Sequence, residues 1–257
     1  MIQHVDHIIS LLAEAGRRIM EVYDAGESAA DVQWKEDNSP LTLADRRSHD
    51  FLCEALQLLD SNIPMMSEEA AQLSFEDRSA WTRYWCLDPL DGTKEFIKRN
   101  GQFTINLALM ENANPILGFI HVPVTGETYW AVKGQGAHRY DGLKSERIQS
   151  NSKTADWIAV GSGSHGSAEE LAVLENYPIS ETRKAGSALK FCLIARGDAD
   201  VYYRHGPTME WDTAAGHILV EEAGAYFEFI GDMKRNYNKE SLLNPSFLVR
   251  INYTQQN

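Results

Sequence analysis

The segment that decides the fold is WCLDPLDGTKEF, residues 85–96. It places two carboxylates, Asp88 and Asp91, three residues apart around a proline. At roughly 5 Å and an effective dielectric near 20, two such charges repel each other by about 3 kcal/mol. A bound cation would turn this repulsion into a binding site, so the pair predicts a metal.

The residues around the pair predict a strand that leads into a short helix. Residues 83–88, RYWCLD, are typical of a strand that ends at Asp88, and Pro89 stiffens the chain as it leaves the strand. Residues 91–93, Asp-Gly-Thr, then begin the helix. The alternative is an aspartate-capped turn that binds no ligand, since short motifs carry false positives.

The oxygen atoms of this turn are typical of a magnesium site. Two carboxylates, from Asp88 and Asp91, and the free backbone carbonyl of Leu90 suit Mg²⁺, a hard cation that prefers oxygen ligands. The backbone amides of Gly92 and Thr93, at the start of the helix, would hold a phosphate group beside the metal.

Outside this segment, the first half of the chain predicts an α+β arrangement. Apolar residues at helical spacing predict an amphipathic helix over 5–22 and a second helix over about 43–59. Residues 62–69, NIPMMSEE, predict a short strand, and residues 102–132 alternate as an antiparallel meander. The Gly-rich residues 133–146 predict a loop or short hairpin and the junction between two lobes.

The second half changes to a strand–helix rhythm, which runs through segments 157–163, 168–177, 187–197, 199–204 and 211–225. We therefore expect one catalytic unit over 1–257, with α+β and α/β parts and sheets sandwiched by helices. Within it, an α+β metal-binding lobe would span 1–140 and an α/β substrate-specificity lobe would span 141–257.

Composition narrows the class of protein. The 257 residues include 24 basic and 37 acidic side chains, and a net charge of −13 argues against a nucleic-acid partner. The amino-terminal residues MIQHVDHIIS lack the features of a signal peptide, and no apolar run has the length of a membrane span. The three cysteines are odd in number and widely spaced, which is typical of reduced thiols. We therefore expect a cytoplasmic protein.

Two motifs carry a resemblance to a known family. DPLDGT, residues 88–93, and WDTAAGHILVEEAGA, residues 211–225, resemble the inositol monophosphatase superfamily of Mg²⁺-dependent, lithium-sensitive phosphatases. The resemblance begins at 38–45, NSPLTLAD, continues through 67–69, SEE, and ends at 240–247, ESLLNPSF. It implies a layered αβαβα sandwich of the inositol monophosphatase and sugar phosphatase type.

Within that superfamily, residues 88–109 and 186–217 resemble the 3′(2′),5′-bisphosphate nucleotidase branch. Inositol monophosphatases usually have Asn-Phe soon after the Gly-Thr pair, whereas this chain has Lys94-Glu95-Phe96. The branch implies conversion of adenosine 3′,5′-bisphosphate (PAP) to AMP and phosphate. It also implies action on the 5′-phosphosulfate PAPS, giving APS, and a role in sulfate assimilation.

The resemblance also assigns the metal ligands and the catalytic residues. It implies two or three Mg²⁺ ions, held by Glu68, Asp88, the Leu90 carbonyl, Asp91 and Asp212. Thr93 and Asp45 would position and deprotonate the attacking water, with Glu68 as a third catalytic residue. The scissile phosphate would lie on the segment from Leu90 through Asp91 and Gly92 to Thr93, beside Glu68 and Asp212.

Each of these acids has a structural alternative. Asp45 and Asp212 could merely cap helices, where aspartate is common near the first turn. Glu68 could be an exposed acid at the end of a strand, and its neighbour Glu69 could take its place. All five acids appear in the order that the family requires, which favours the functional interpretation.

The resemblance places substrate specificity in the second lobe, at His165, Ser187, Lys190 and Arg204. The two cations would pair with the phosphate that is not cleaved. Their alternative is a surface ion pair, and that of His165 is an ordinary loop histidine. Residues 161–166 form a literal G-x-G-x-x-G, but a dinucleotide site would also need a βαβ unit and a suitably placed acid.

Two other functions stay open at this point. One is an inositol or sugar phosphate phosphatase, and another is a nucleotide-binding module without catalysis, for which Asp45 and Thr93 would be superfluous. Peripheral association with the inner membrane, which relatives imply, has no visible signal in the sequence.

Overall fold

The fold is described by a computed structural model that covers residues 4–26, 31–34, 40–71, 73–162, 167–231 and 236–252. The helices of these ranges are α1 (Val5–Asp24), α2 (Leu43–Leu59), α3 (Phe75–Arg78), α4 (Thr93–Ile97), α5 (Ala168–Leu174), α6 (Leu189–Ala195) and α7 (Glu210–Glu222). None of the helices in the described ranges combines the length and the apolar character that crossing a membrane requires.

The strands of the described ranges are β1 (Gln33–Trp34), β2 (Pro40–Leu41), β3 (Met65–Ser67), β4 (Arg83–Asp91), β5 (Thr104–Glu111), β6 (Asn114–Val122), β7 (Glu127–Val132), β8 (Gly136–Tyr140), β9 (Ser145–Ile148), β10 (Trp157–Gly161), β11 (Ile179–Lys184), β12 (Val201–Arg204), β13 (Tyr226–Phe229) and β14 (Phe247–Arg250).

Two large sheets carry the fold. β3 to β9 lie side by side in chain order, and all neighbours are antiparallel except β3 and β4, which are parallel. The second sheet has the order β11-β10-β12-β14-β13, with β10 parallel to both of its neighbours. β1 and β2 form a separate two-stranded ribbon.

The helices and sheets form five layers. Because successive side chains of a strand face opposite sides, Trp85 and Leu87 of β4 pack with α1 and α2, while Tyr84 and Cys86 pack with α6 and α7. On its other side, the layer of α6 and α7 packs against the second sheet, whose outer face contacts α5. This arrangement confirms the expected αβαβα sandwich.

The second helix begins where a capping box places an acid in the core. The Thr42 side chain accepts hydrogen bonds from the amides of Ala44 and Asp45, and the Asp45 carboxylate accepts one from the Thr42 amide at 2.8 Å. The helix then runs over 43–59, as its periodicity predicts. The cap fixes Asp45, which is 1% exposed, at the inner end of the helix.

The strand of the opening motif is longer than its sequence predicts. We expected it to end at Asp88, but β4 continues to Asp91. The register against β5 shifts between these two residues, since Asp88 lies opposite Asn106 and Asp91 lies opposite Thr104. Three residues along β4 thus lie opposite two residues along β5, which makes the strand irregular here. Pro89 is tolerated at this point because the irregular stretch needs no hydrogen bond from its nitrogen to β5.

The residues expected to join the lobes form a hairpin. β8 and β9 pair with each other at the edge of the seven-stranded sheet, which therefore extends beyond residue 140. The second sheet takes its first residues from β10, at Trp157. We accordingly propose that the lobes join between Ile148 and Trp157.

Candidate active site

Four proposed metal-binding acids, from three separate segments of the chain, meet in one cleft of about 270 Å³. The cleft lies where β3 and β4 end and α7 begins. Its lining consists of Glu68, Asp88, Leu90, Asp91, Gly92, Thr93, Lys94, Glu95 and Asp212. All five proposed metal-binding residues are in this set, whereas Glu69 is not.

Asp88 and Asp212 lie next to each other in the cleft. Asp88 is 1% exposed and accepts a hydrogen bond from the Leu90 amide at 3.1 Å. Asp212, in the first turn of α7, accepts one from the Met209 amide at 2.8 Å, and its carboxyl is also hydrogen-bonded to Asp88. Burial, followed by neighbouring carboxylates, raises the pKa of both groups well above the usual range.

Asp91 is oriented by two polar residues of β5. Asn106 Nδ2 donates to Asp91 Oδ2 at 3.0 Å, and Thr104 Oγ1 in turn donates to Asn106 Oδ1 at 3.0 Å. Burial raises the pKa of Asp91 to about 6, although Lys190 and the Asn106 hydrogen bond oppose the rise. Sequence reasoning missed both β5 residues, and the available signal was two polar side chains on one face of an apolar strand.

Asp45 and Thr93 come from two different helices, α2 and α4, and their side chains meet beside the cleft. The Thr93 hydroxyl lies 3.2 Å from Asp45 Oδ1 and 3.3 Å from the Leu90 carbonyl, so it can donate its proton to either. Burial raises the pKa of Asp45 to about 6, against the hydrogen bonds that it accepts from Thr42. The structure thus brings together the two residues that sequence analysis paired.

Gly92 makes the close approach of two segments possible. Its φ of 92° lies in the left-handed region, and a Cβ at this position would lie 3.1 Å from the carbonyl oxygen of Gln102 and 3.2 Å from Ser187 Cβ. Gln102 also accepts a hydrogen bond from the Gly186 amide through its Oε1, at 2.8 Å. The motif of β4 and the turn before α6 are therefore held against each other here.

A second cavity, of about 530 Å³, continues from the cleft and shares Asp91, Lys94, Glu95 and Asp212 with it. Three of the four predicted specificity residues line it, namely Ser187, Lys190 and Arg204. The fourth, His165, lies outside the described residues. Lys94 and Lys98, which sequence analysis did not single out for binding, also line this cavity.

Lys190 is held by the chain rather than by an ion pair. It is only 6% exposed, and its Nζ donates to the carbonyls of Ser187 at 2.7 Å and Ala185 at 3.2 Å. Burial lowers its pKa to about 8, with Asp91 opposing the change. The alternative of a surface ion pair is therefore wrong for Lys190, which stabilises a turn where Ser187 has a φ of 45°.

The oxygen atoms of the cleft are of the type that binds a hard divalent cation, but their side chains are not arranged to coordinate one. Four carboxylates and one carbonyl supply only oxygen ligands, as Mg²⁺ prefers. In the described part of the chain, however, no group of three or more His, Cys, Asp or Glu side chains is arranged to hold a metal ion. Asp88 and Asp212 hydrogen-bond each other instead, and their raised pKa values favour binding a proton.

The matches to known proteins cover nearly the whole chain. The model of the inositol monophosphatase family matches residues 2–255. The chain is similar to the 3′(2′),5′-bisphosphate nucleotidase CysQ of Escherichia coli strain K12, at 42% identity over 96% of this chain and 99% of the relative.

Solved structures agree with the sequence relatives. CysQ from Bacteroides thetaiotaomicron, a bacterial member of the inositol monophosphatase family, superposes with a TM-score of 0.80 at 39% identity, covering 94% of each chain. An IMPase of Thermotoga maritima gives a TM-score of 0.76 at 24% identity, over 96% of this chain and 92% of the other. The latter similarity concerns the fold alone.

Proposed function

Because the chain belongs to the inositol monophosphatase family, we propose that it is a 3′(2′),5′-bisphosphate nucleotidase that hydrolyses PAP to AMP and phosphate. Full-length similarity to CysQ proteins at 34–43% identity supports this branch of the family. The main support for this chemistry is the cleft, where four acids from three segments of the chain meet beside Gly92 and Thr93.

Asp45 and Thr93 supply the proton transfer of the proposed reaction. The Thr93 hydroxyl donates its hydrogen to Asp45. The lone pairs of the Thr93 oxygen are therefore free to accept a hydrogen bond from a water molecule. That water is thereby aimed at the phosphorus, and its proton passes through the hydroxyl to the Asp45 carboxylate. A pKa of about 6 makes Asp45 a base that is ionised at neutral pH and can still accept a proton.

The remaining residues of the cleft bind the scissile phosphate and its cations. We propose that Glu68, Asp88, Asp91, Asp212 and the Leu90 carbonyl would hold Mg²⁺, after the carboxylates exchange their shared protons for the ion. When bound there, Mg²⁺ supplies Lewis-acid chemistry, since it acidifies water and offsets phosphate charge. The amides of Gly92 and Thr93 add hydrogen bonds to the phosphate oxygens.

The phosphate that is not cleaved would lie in the larger cavity. Arg204 lines its wall, and a guanidinium can donate two hydrogen bonds to one phosphate. Lys190 contributes chiefly by fixing the turn of Ser187, because two carbonyls already accept hydrogen bonds from its ammonium group. We also propose PAPS as a second substrate, with release of its 3′-phosphate and a link to sulfate assimilation.

A phosphate-release panel tests the proposal. Wild-type protein would be given PAP, PAPS, inositol 1-phosphate and fructose 1,6-bisphosphate, each with Mg²⁺, without it, and with added Li⁺. We expect PAP to be hydrolysed fastest, only with Mg²⁺, and to be inhibited by Li⁺. Faster hydrolysis of inositol 1-phosphate would assign the chain to the other branch, and no hydrolysis of any compound would favour a binding module.

A further inference from the structure

The cavity next to the cleft is unusual in its charge. The chain as a whole has 24 basic and 37 acidic side chains, but this cavity is lined by four cations and three acids. Two of those acids, Asp91 and Asp212, belong to the proposed metal site. Beyond that site, four cations therefore face a single acid, Glu95, in an otherwise acidic protein.

Three of these four cations are available to a ligand. Lys190 is occupied by two backbone carbonyls. Among the described residues, in contrast, no ion pair involves Lys94, Lys98 or Arg204. Three available cations exceed what a single 5′-phosphate needs, because one bidentate guanidinium already satisfies two of its oxygens.

Lys94 and Lys98 form one side of the cavity. They are four residues apart, Lys94 in α4 and Lys98 directly after its last residue, where the backbone is still helical, so both side chains project from the same face. The segment after them is fixed to the turn before α6 by the hydrogen bond from the Gly186 amide to Gln102. The lysine pair and the turn that carries Ser187 therefore belong to one continuous wall.

Resting on the proposed function, we propose that Lys94 and Lys98 form a second anion subsite of the larger cavity. This subsite binds a further anionic group attached to the 5′-phosphate, such as a sulfonyl or phosphoryl group in an anhydride. Arg204 binds the 5′-phosphate itself, and the lysine pair determines how well nucleotides with an extended 5′ group compete with PAP.

The test compares two substrates in matched charge variants. Lys94→Ala/Lys98→Ala removes the subsite, and Lys94→Arg/Lys98→Arg keeps its charge. Lys133→Ala/Lys144→Ala is the control, because it removes two exposed lysines that line neither cavity and so changes net charge equally. Since Lys94 also borders the cleft, Lys98→Ala alone is the second variant.

The measured quantity is the ratio of kcat/KM for PAPS to kcat/KM for PAP. We expect this ratio to fall about tenfold in the double alanine variant, as two lost charge contacts predict, and to stay near the wild-type value in the arginine variant and the control. Lys98→Ala should reduce it by a smaller factor. An unchanged ratio in the double alanine variant would overturn the subsite while leaving the nucleotidase function intact.

A binding measurement separates this result from catalysis. Calorimetric titration of each variant with AMP and with ADP reports whether a second 5′ anionic group is recognised. We expect wild-type protein to prefer ADP, and the double alanine variant to lose that preference. Equal preferences in both proteins would contradict the subsite, whereas a wild type that fails to hydrolyse PAP would contradict the proposed function.

Discussion

We propose that the proton transfer in the cleft passes through the hydroxyl of Thr93. Its hydroxyl lies 3.2 Å from Asp45 Oδ1, and no other described hydroxyl donates to that oxygen. Asp45 is in turn fixed by the capping box of α2, so the pair is aligned before a substrate arrives. Removal of the hydroxyl should therefore affect turnover more than binding.

We predict that Thr93→Ala lowers kcat for PAP by about 10²-fold or more, as loss of a positioned proton relay does. Thr93→Ser keeps the hydroxyl and should retain most of the activity. The measurement is phosphate release at saturating substrate, with thermal unfolding as a check on folding. An alanine variant with a wild-type kcat would show that the hydroxyl has no part in the reaction.

His121 gives a prediction about stability and pH. It is 2% exposed, its Nδ1 lies 2.9 Å from Thr128 Oγ1, and burial lowers its pKa from 6.5 to about 4. Between these values the unfolded chain binds a proton that the folded one does not. The neutral His121 therefore makes its full contribution to the free energy of unfolding above pH 6.5. That contribution is lost as the pH falls towards 4, because the unfolded chain gains the proton.

We predict that wild-type protein loses about 2 kcal/mol of unfolding free energy between pH 7.5 and pH 5 relative to His121→Gln. Urea unfolding of both proteins at the two pH values measures this difference. The buried carboxylates are present in both proteins, so their effect on the pH dependence of unfolding cancels in the comparison. If the difference between the proteins is the same at both pH values, His121 does not titrate as its burial requires.

At the residue scale, the site roles of acidic side chains can be predicted from the sequence better than those of Asn and Gln side chains. Glu68, Asp88, Asp91 and Asp212 could be proposed because clustered carboxylates need a cation, and the structure places them in one cleft. Asn106 could not be assigned a role, since its contact with Asp91 depends on the register between two strands. The role of Gln102 likewise depends on a turn more than eighty residues away.

At the scale of elements, the site is positioned by a seam, the contact of Gly92, Glu95 and Gln102 with the turn before α6 at Gly186 and Ser187. A Cβ on Gly186 would lie 2.6 Å from the carbonyl oxygen of Gln102 and 2.8 Å from Glu95 Cγ. The first of these contacts is with backbone, which cannot rotate away. Any side chain at Gly186 therefore separates the turn of Ser187 from the helix of Lys94.

We predict that Gly186→Ala lowers the free energy of unfolding by about 1–3 kcal/mol, as overpacking does, and raises KM for PAP. Gly161→Ala is the matched control, because a Cβ there meets no atom within 4 Å. Denaturant unfolding and initial rates measure the two effects. Equal stability and equal KM in both variants would mean that the seam is not needed for the site.

The elements that sequence analysis predicted are those with strong periodicity. α1 and α2 have apolar residues at helical spacing, so their ranges could be anticipated. β11, β13 and β14 were not assigned, because β11 is mostly exposed and the other two are four-residue strands. Their pairing depends on the second sheet as a whole, which local patterns do not specify.

At the scale of the whole molecule, the layered fold brings the first and second halves of the chain together at the cleft. α7 lies between the sheets, and its first residue, Glu210, is completely buried. The Glu210 carboxylate accepts hydrogen bonds from the Asn238 amide at 2.6 Å and from Lys239 Nζ at 2.7 Å. The loop before β14 thus fixes the helix turn that presents Asp212 to acids from the first half.

The central claim is that these converging acids bind the divalent cation on which hydrolysis depends. The most direct test is phosphate release from PAP by wild type and Asp91→Asn over a range of Mg²⁺ concentrations, with Asp6→Asn, on the exposed face of α1, as control. We predict that the wild type and the control need Mg²⁺, and that Asp91→Asn is about 10²-fold slower or more at every concentration. Hydrolysis by Asp91→Asn at the wild-type rate in Mg²⁺ would contradict the account.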